Sequence, residues 1–215
     1  KTIAHLCLFG ANLIYAINFT VAKTVMPEYV EPLGFIFMRV VGATLLFWLV
    51  YGLFSYQKVE RKDILRLMLC GLFGVAVNQM LFFEGLNLTT PISASVIMVT
   101  NPIIVLVISA FLLSEKITIR KLLGIAFGAI GAISLFTNGG DFSLLNSSQS
   151  LGNLLVLINA CSYGVYLVIV KPLMKKYQAM TVISWVFLFG LIFVVPFGYQ
   201  EFSEIQWSTM PTNIM

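Results

Sequence analysis

Apolar segments of about twenty residues recur along this chain, and their length constrains the fold more than any other feature. An α-helix needs about 20 apolar residues to cross the roughly 30 Å of hydrocarbon in a bilayer. The segments that meet this length are predicted to span the membrane at residues 3–25, 33–55, 64–86, 91–113, 118–137, 151–172 and 179–199. Because 59% of the residues are hydrophobic and only 10% are charged, a soluble domain is excluded. The predicted fold class is an all-α membrane protein, a polytopic helical bundle with about seven transmembrane helices.

Basic residues mark one side of this bundle. They cluster at alternate connections, in residues 58–66, 116–121 and 171–176, and these clusters together with Lys1 hold eleven of the 13 Lys and Arg residues. By the positive-inside rule this side is cytoplasmic. We therefore predict a multi-pass protein of the cell (inner) membrane with a cytoplasmic N-terminus. The net charge of +4 is explained by topology, and no nucleic-acid partner is expected.

An internal repeat divides the chain. Residues 138–150 are rich in Gly, Ser and Asn, which is typical of an exposed linker. A shift of 148 residues across this linker aligns identical residues: Tyr15 with Tyr163, Lys23 with Lys171, Met26 with Met174, Tyr29 with Tyr177, Gly42 with Gly190 and Tyr51 with Tyr199. Because five spans separate the two copies, the second copy enters the membrane from the opposite side. Inverted repeats of this kind occur in secondary transporters.

The repeat predicts three regions. Residues 1–137 form a first repeat of five transmembrane helices, residues 138–150 form an external linker, and residues 151–215 begin a second, inverted repeat with two helices. The first residue is Lys and the chain ends about fifteen residues after the last span, so we expect the chain to be a fragment.

Four short motifs lie within the central part of the chain. They read EGL at residues 84–86, TTPISASVI at 89–97, NPII at 101–104 and LLSEK at 112–116, and a Gly-rich segment follows from Gly124. In their order and spacing they resemble the EamA family of the drug/metabolite transporter superfamily. The resemblance implies a ten-helix transporter of small organic metabolites or amino acids, often an exporter, of which three helices are not in this chain.

The resemblance also implies roles for particular residues. Lys23, Arg39, Pro102 and Glu115 match the family's Lys after the first helix, Arg in the second, and Pro and Glu in the fourth. The second repeat keeps Lys171 but has apolar residues where an Arg would stand, so the two halves are not chemically equivalent.

Uncharged polar and aromatic residues lie at membrane depth in several spans. On the third span Asn78 and Phe82 share one helical face, and Gln79 and Phe83 share the neighbouring face. Such residues either line a solute cavity or form hydrogen bonds between helices, and both interpretations stay open at this point. The candidates for substrate binding are Asn18, Asn78, Gln79, Phe82, Phe83, Ser95, Asn101 and Tyr163.

Three charged residues fall inside spans near their outer ends, namely Lys23, Arg39 and Glu84. A charge within a span normally pairs with another charge or faces water. We predict that Arg39 faces the bundle interior with Glu84 as its partner and Lys23 near the rim. These residues would form an outer gate, the anion-attracting mouth of a cavity, or a static ion pair that only joins the second and third helices.

A break is predicted near the middle of the fourth span. Pro102 follows Asn101 there, and proline lacks the amide proton that continues a helix. We expect the helix to bend around Ile97 and Met98. A broken helix at membrane depth is tolerated where protein or a water-filled cavity surrounds it.

Motifs for enzyme chemistry are absent from the sequence. It contains no HExxH, GxSxG, CxxC or P-loop motif, so we expect neither an enzyme nor a metal or other cofactor. The expected partners are a small-molecule solute and the lipid bilayer. Two functions are considered: a secondary transporter that works by alternating access, and a non-transporting membrane scaffold or receptor subunit.

Overall fold

A computed structural model describes residues 2–26, 28–54, 56–113, 118–119, 123–124, 126–127 and 147–205. It contains the helices α1 (Thr2–Val25), α2 (Pro32–Phe54), α3 (Arg61–Gly71), α4 (Val77–Leu88), α5 (Pro91–Val99), α6 (Asn101–Leu113), α7 (Ser147–Lys176) and α8 (Ala179–Ser203). A π-helical turn, Leu72–Ala76, joins α3 to α4. Over these described residues the regular structure is helical, which confirms the predicted all-α class.

Several of the helices are long enough and apolar enough to cross a membrane. They are α2, the continuous α3–α4 segment, α7 and α8, with a fifth span if α5 and α6 count as one bent helix. Each coincides with a predicted span, and α1 covers the predicted span 3–25. The predicted span 118–137 and the linker 138–150 lie mostly outside the described residues. The chain is thus a helical, multi-pass membrane protein, while the count of seven spans and the ten-helix repeat stay predictions.

The two ends of the bundle differ in charge. We call one end the basic end: here α2 ends, α3 begins, α7 ends and α8 begins, and it carries Lys58, Arg61, Lys62, Lys175 and Lys176. We call the opposite end the acidic end, and it carries Glu28, Glu31, Glu201 and Glu204. At the acidic end, the Gly34 amide in the first turn of α2 donates to Glu201 Oε2 at 2.9 Å, which connects α2 to α8.

The fourth predicted span is broken into α5 and α6. Thr90 caps the start of α5 with its side-chain oxygen. The axes of α5 and α6 differ by 40° at Thr100, whose amide and hydroxyl both donate to the Ile97 carbonyl. Since Pro102 has no amide proton, the helical hydrogen bonds stop two residues before it. The predicted mid-span break is therefore confirmed.

The π turn changes which backbone groups α7 can reach. The Val77 amide bonds to the Leu72 carbonyl, five residues back, so the Phe73 carbonyl loses the amide that it would accept from in a regular α-helix. Ser162 on α7 replaces that amide, because its hydroxyl donates to the Phe73 carbonyl at 2.7 Å. The irregular turn thus makes a polar contact with α7 within an apolar bundle.

Glycine allows α4 and α7 to approach closely near the acidic end. A Cβ atom placed on Gly85 would lie 2.8 Å from the Gly152 carbonyl oxygen, and one placed on Gly152 would lie 2.8 Å from the Gly85 carbonyl oxygen. Real Cβ atoms do not approach so closely. The two helix backbones therefore touch here, as small residues permit in membrane bundles, and this contact brings the polar residues of both helices together.

Candidate functional site

A cavity of about 470 Å³ lies among α1, α2, α4, α5, α6 and α7. Its volume falls within the roughly 300 to 1,000 Å³ that is common for small-molecule sites. Its wall combines amide groups, aromatic rings and one guanidinium. The wall is lined by Asn18, Arg39, Asn78, Gln79, Phe82, Phe83, Met98, Asn101, Asn159 and Tyr163.

Seven of the eight predicted substrate-binding residues lie in this wall; the exception is Ser95. Ser95 is exposed on α5, and its hydroxyl donates to the Pro91 carbonyl at 2.6 Å. A serine in a helix can satisfy its hydroxyl in this local way. The structure thus gathers residues from four predicted spans into one cavity and leaves Ser95 outside it.

Two wall residues, Met98 and Asn159, are not among the predicted site residues, and Asn159 is the polar one of the two. It lies on α7 and is only 1% exposed, and its Nδ2 donates to the Asn78 carbonyl at 2.6 Å. It precedes Tyr163 by four residues and so shares its helical face. That spacing of an amide and a tyrosine in an apolar span was a signal that would have identified it.

Amide oxygens are the unusual polar groups of this wall. Gln79 Oε1, Asn101 Oδ1 and Asn159 Oδ1 are buried and have no hydrogen-bond partner in the described part of the chain. The orientation of the Asn159 amide is defined, because the Asn78 carbonyl can only accept and must face Nδ2. An unpartnered buried acceptor costs about 1 to 3 kcal/mol. A ligand that brings hydrogen-bond donors to this region would recover that free energy.

Aromatic rings form the apolar part of the wall. Phe82 and Phe83 meet edge to face, with ring centroids 5.1 Å apart and an angle of 89° between the planes. Phe35 of α2 contacts Phe83 at 5.4 Å, and Tyr163 contacts Tyr166 within α7 at 5.9 Å. Such ring pairs hold each other in position, so the wall offers a defined apolar surface beside its amides.

Arg39 brings positive charge to the cavity. Its guanidinium carbon lies 4.9 Å from the centroid of the Phe83 ring and 5.8 Å from that of Phe35. These distances suit cation–π attraction, which holds the guanidinium beside the aromatic wall. Arg39 is exposed over much of its surface, so its orientation toward the bundle interior stays a prediction.

The other two members of the predicted charge cluster are Glu84 and Lys23. Glu84 is partly buried on α4 and is not among the residues that line the cavity. The side chain of Lys23 lies outside the described residues, so the Arg39–Glu84 pair and the gate stay predictions. Across the described ranges, no group of three His, Cys, Asp or Glu residues could hold a metal ion.

The comparison with known families and proteins gives a consistent result. The model described as "EamA-like transporter family" matches residues 2–137. The chain is 22% identical over 212 residues to the uncharacterized transporter YyaM of Bacillus subtilis (strain 168), covering 98% of this chain and 69% of that protein. It is 27% identical over 215 residues to the uncharacterized transporter YetK of the same organism, covering 97% of this chain and 63% of that protein.

A third relative has a more specific name. The probable terminal-alkyne amino-acid exporter of Streptantibioticus cattleyicolor is 24% identical over 163 residues, covering 76% of this chain and 53% of that protein. The chain thus spans between about half and about two thirds of the length of these relatives. No solved structure matches the chain.

Proposed function

The chain belongs to the EamA-like transporter family, and on this premise we propose that it forms the solute-binding part of a secondary transporter for small organic metabolites or amino acids. The observation that carries the proposal is the cavity, because it places amides, aromatic rings and a guanidinium from separate helices around one space of about 470 Å³. These groups recognise a solute by hydrogen bonds and charge, and they contain no nucleophile–base pair for bond cleavage.

The wall chemistry favours a zwitterionic solute with an apolar side chain. The Arg39 guanidinium attracts a carboxylate, whereas the unpartnered oxygens of Asn101 and Asn159 are acceptors for an ammonium group. The rings of Phe82 and Phe83 would contact the apolar part. A simple amine fits less well, because Arg39 repels it. A neutral amino acid meets all three conditions.

Alternating access would move this solute across the membrane. The break between α5 and α6 brings Asn101 to the cavity, and discontinuous helices beside a mid-membrane site recur in secondary transporters. Outward transport is proposed from the relative that is named an exporter. In this scheme the cavity is reached from the two membrane faces in turn.

The experiment is counterflow of radiolabelled neutral amino acids, L-phenylalanine first, into vesicles that contain the full-length protein. Gln79→Ala and Asn159→Ala should each raise the half-saturating concentration at least tenfold. Ser95→Ala is the matched control, since Ser95 is polar and lies in the same bundle but outside the cavity wall, and it should behave as wild type.

The competing function predicts a different result. A membrane scaffold or receptor subunit would show no counterflow with any of these probes and would retain a stable partner on purification. Equal effects of Ser95→Ala and Asn159→Ala would also contradict the proposal, because the cavity would then have no special role.

A further inference from the structure

A cluster of polar side chains joins separate elements at the basic end. Lys176 Nζ at the end of α7 lies 2.7 Å from Glu60 Oε1 and 2.5 Å from Asp63 Oδ2. The Tyr177 hydroxyl donates to Asp63 Oδ2 at 2.7 Å and accepts from the Glu60 amide at 3.1 Å. Hydrogen bonds from Lys176 and Lys62 hold the pKa of Glu60 below its ordinary value, so this carboxylate stays charged. We call Glu60, Asp63, Lys176 and Tyr177 the clasp.

A second set of contacts supports the clasp. Gln57 Oε1 accepts from the Gln178 amide at 3.0 Å and from the Thr181 hydroxyl at 3.4 Å, at the start of α8. The Tyr51 hydroxyl at the end of α2 donates to the Gln57 carbonyl at 2.6 Å. Gln57 and Glu60 lie toward the two ends of the connection between α2 and α3. Both of them contact the corner between α7 and α8.

Buried apolar residues of α3, α7 and α8 pack together beside the clasp, on the side toward the middle of the bundle. Leu67 and Cys70 of α3, Leu173 of α7, and Val182 and Val186 of α8 are each between 0% and 2% exposed and belong to one buried cluster. We call these five residues the plug. Close packing of this kind leaves no path for a solute of amino-acid size between these five residues.

The clasp and the cavity lie on opposite sides of the plug. Lys176 follows Tyr163 by thirteen residues on α7, which corresponds to about 20 Å along a helix. Tyr163 lines the cavity, whereas Leu173 of the plug lies within one turn of Lys176. A route from the cavity to the basic end along α7 and past the plug requires α7 and α8 to separate from α3.

The clasp is suited to reversible opening. The side chains of Glu60 and Lys176 are 51% and 33% exposed, and ion pairs between such exposed side chains are individually weak. Asp63 is only 14% exposed in the closed clasp. It lies at the same end of the bundle, so water can reach its carboxylate as well as Glu60 and Lys176 once α7 moves away. A contact that stays closed could be made by apolar packing alone, without charged groups at a solvent-exposed surface.

We propose that the clasp is the gate at the basic end: it holds α7 and α8 against the α2–α3 connection and parts when the solute passes between the cavity and this end. The inference rests on the proposed transport function, but its first test does not. Opening of the clasp exposes Cys70, which is fully buried in the plug, and this thiol reports the state of the gate.

The first test measures alkylation of Cys70 in the full-length protein with all other cysteines replaced by serine. A membrane-impermeant maleimide is presented to either face of sealed vesicles. Lys176→Met should raise the labelling rate at least fivefold from the face of the basic end and leave it unchanged from the other face. Asp63→Asn should also raise the labelling rate of Cys70. Lys176→Arg keeps the positive charge and should label as slowly as wild type.

The matched control is Lys175→Met, which removes the neighbouring exposed charge outside the clasp. It should label as slowly as wild type. Unchanged labelling in Lys176→Met overturns the gate. Equal acceleration in Lys175→Met, or from both faces, also overturns it, because the bundle is then merely loosened.

The second test closes the gate. In a background with Cys70 replaced by Ala and no other native cysteine, Gln57→Cys with Gln178→Cys leaves the four clasp residues in place. A short cleavable bis-thiol cross-linker then joins the two segments that the contact between Gln57 and Gln178 already brings together. Counterflow should fall at least tenfold and return when the linker is cleaved. Undiminished counterflow in the cross-linked protein overturns the gate. If wild type itself shows no counterflow, the proposed function fails, while the Cys70 result still decides whether the clasp opens.

Discussion

Asn159 and Ser95 show how a single polar residue acquires its role in this bundle. Both are uncharged polar residues within apolar helices. Asn159 is 1% exposed and bonds across to α4, whereas Ser95 bonds back to its own helix. The difference lies in which face each helix turns toward its neighbours. A polar residue at membrane depth thus contributes to the site only when tertiary packing directs it there.

Arg39 allows a prediction at this scale about solute charge. L-Phenylalanine and phenylethylamine share a ring and an ammonium group, but only the amino acid has a carboxylate to pair with the guanidinium. In competition with labelled substrate, wild type should prefer the amino acid at least tenfold. Arg39→Gln should abolish this preference, and Arg39→Lys should keep part of it. An unchanged preference in Arg39→Gln would show that Arg39 does not contact the carboxylate.

Two local irregularities interrupt the regular helices of this bundle. The π turn between α3 and α4 frees the Phe73 carbonyl for Ser162, and the break at Thr100 brings Asn101 to the cavity. Irregular helical turns of both kinds are frequent at functional sites. Each one costs backbone hydrogen bonds, and the structure satisfies the freed groups with side chains.

Ser162→Ala should reveal the cost of leaving the π turn unsatisfied. The Phe73 carbonyl would lose its side-chain donor in an apolar setting, which lowers the free energy of unfolding by about 1 to 3 kcal/mol. Equilibrium unfolding of the full-length protein in detergent measures this change. The control is Ser203→Ala, where an exposed hydroxyl bonds within the last turn of α8, with an expected change within about 0.5 kcal/mol. Equal changes in both variants would argue against the contact.

Pro102→Ala tests the break itself. Alanine restores an amide proton and favours a continuous helix, so the 40° bend should decrease and Asn101 should move from the cavity wall. Counterflow should fall at least fivefold while the amount of folded protein changes less than twofold. Transport equal to wild type would mean that the break has no part in the cycle.

At the scale of the whole molecule, the clasp, the plug and the cavity follow one another along α7, at Lys176, Leu173 and Tyr163. The basic end carries the clasp, the plug lies next to it, and the cavity follows on the far side of the plug. Since α7 and α8 contact the α2–α3 connection at the basic end and α2 contacts α8 through Glu201 at the acidic end, both ends of the bundle hold contacts between the same parts of the chain. Two such sets of contacts are what alternating access requires, with one set opening as the other closes.

A topology measurement tests the orientation of this arrangement. The positive-inside rule predicts that a reporter fused after Lys176 is cytoplasmic, and that one inserted beside Asp141 is external. Activity of an enzyme that works on only one side of the membrane gives the readout for each fusion. Two reporters on the same side, or the reverse orientation, would contradict the predicted topology, and the inverted repeat depends on it.

Sequence alone determined the class of the protein and much of its local structure. Helix length, the Thr90 cap and the break before Pro102 depend on residues close together in the chain, and the structure shows each of them. The motifs around Pro91 and Pro102 indicated the family, which the family comparison confirms. Seven of the eight candidate contacts also reach the cavity, because polar residues are rare enough in apolar spans to be noticed one by one.

Only the tertiary structure decided which helical faces meet. The π turn adds a residue to one helical turn, so the faces of α3 and α4 no longer follow a single 3.6-residue period. No local sequence pattern predicted this shift. The bonds from Asn159 and Ser162 to carbonyls of the α3–α4 segment, and those from Lys176 to Glu60 and Asp63, join residues far apart in sequence. Close packing of α4 against α7 at Gly85 and Gly152 brings the first two of these pairs together. Packing of that kind depends on the whole bundle, and a single span cannot specify it.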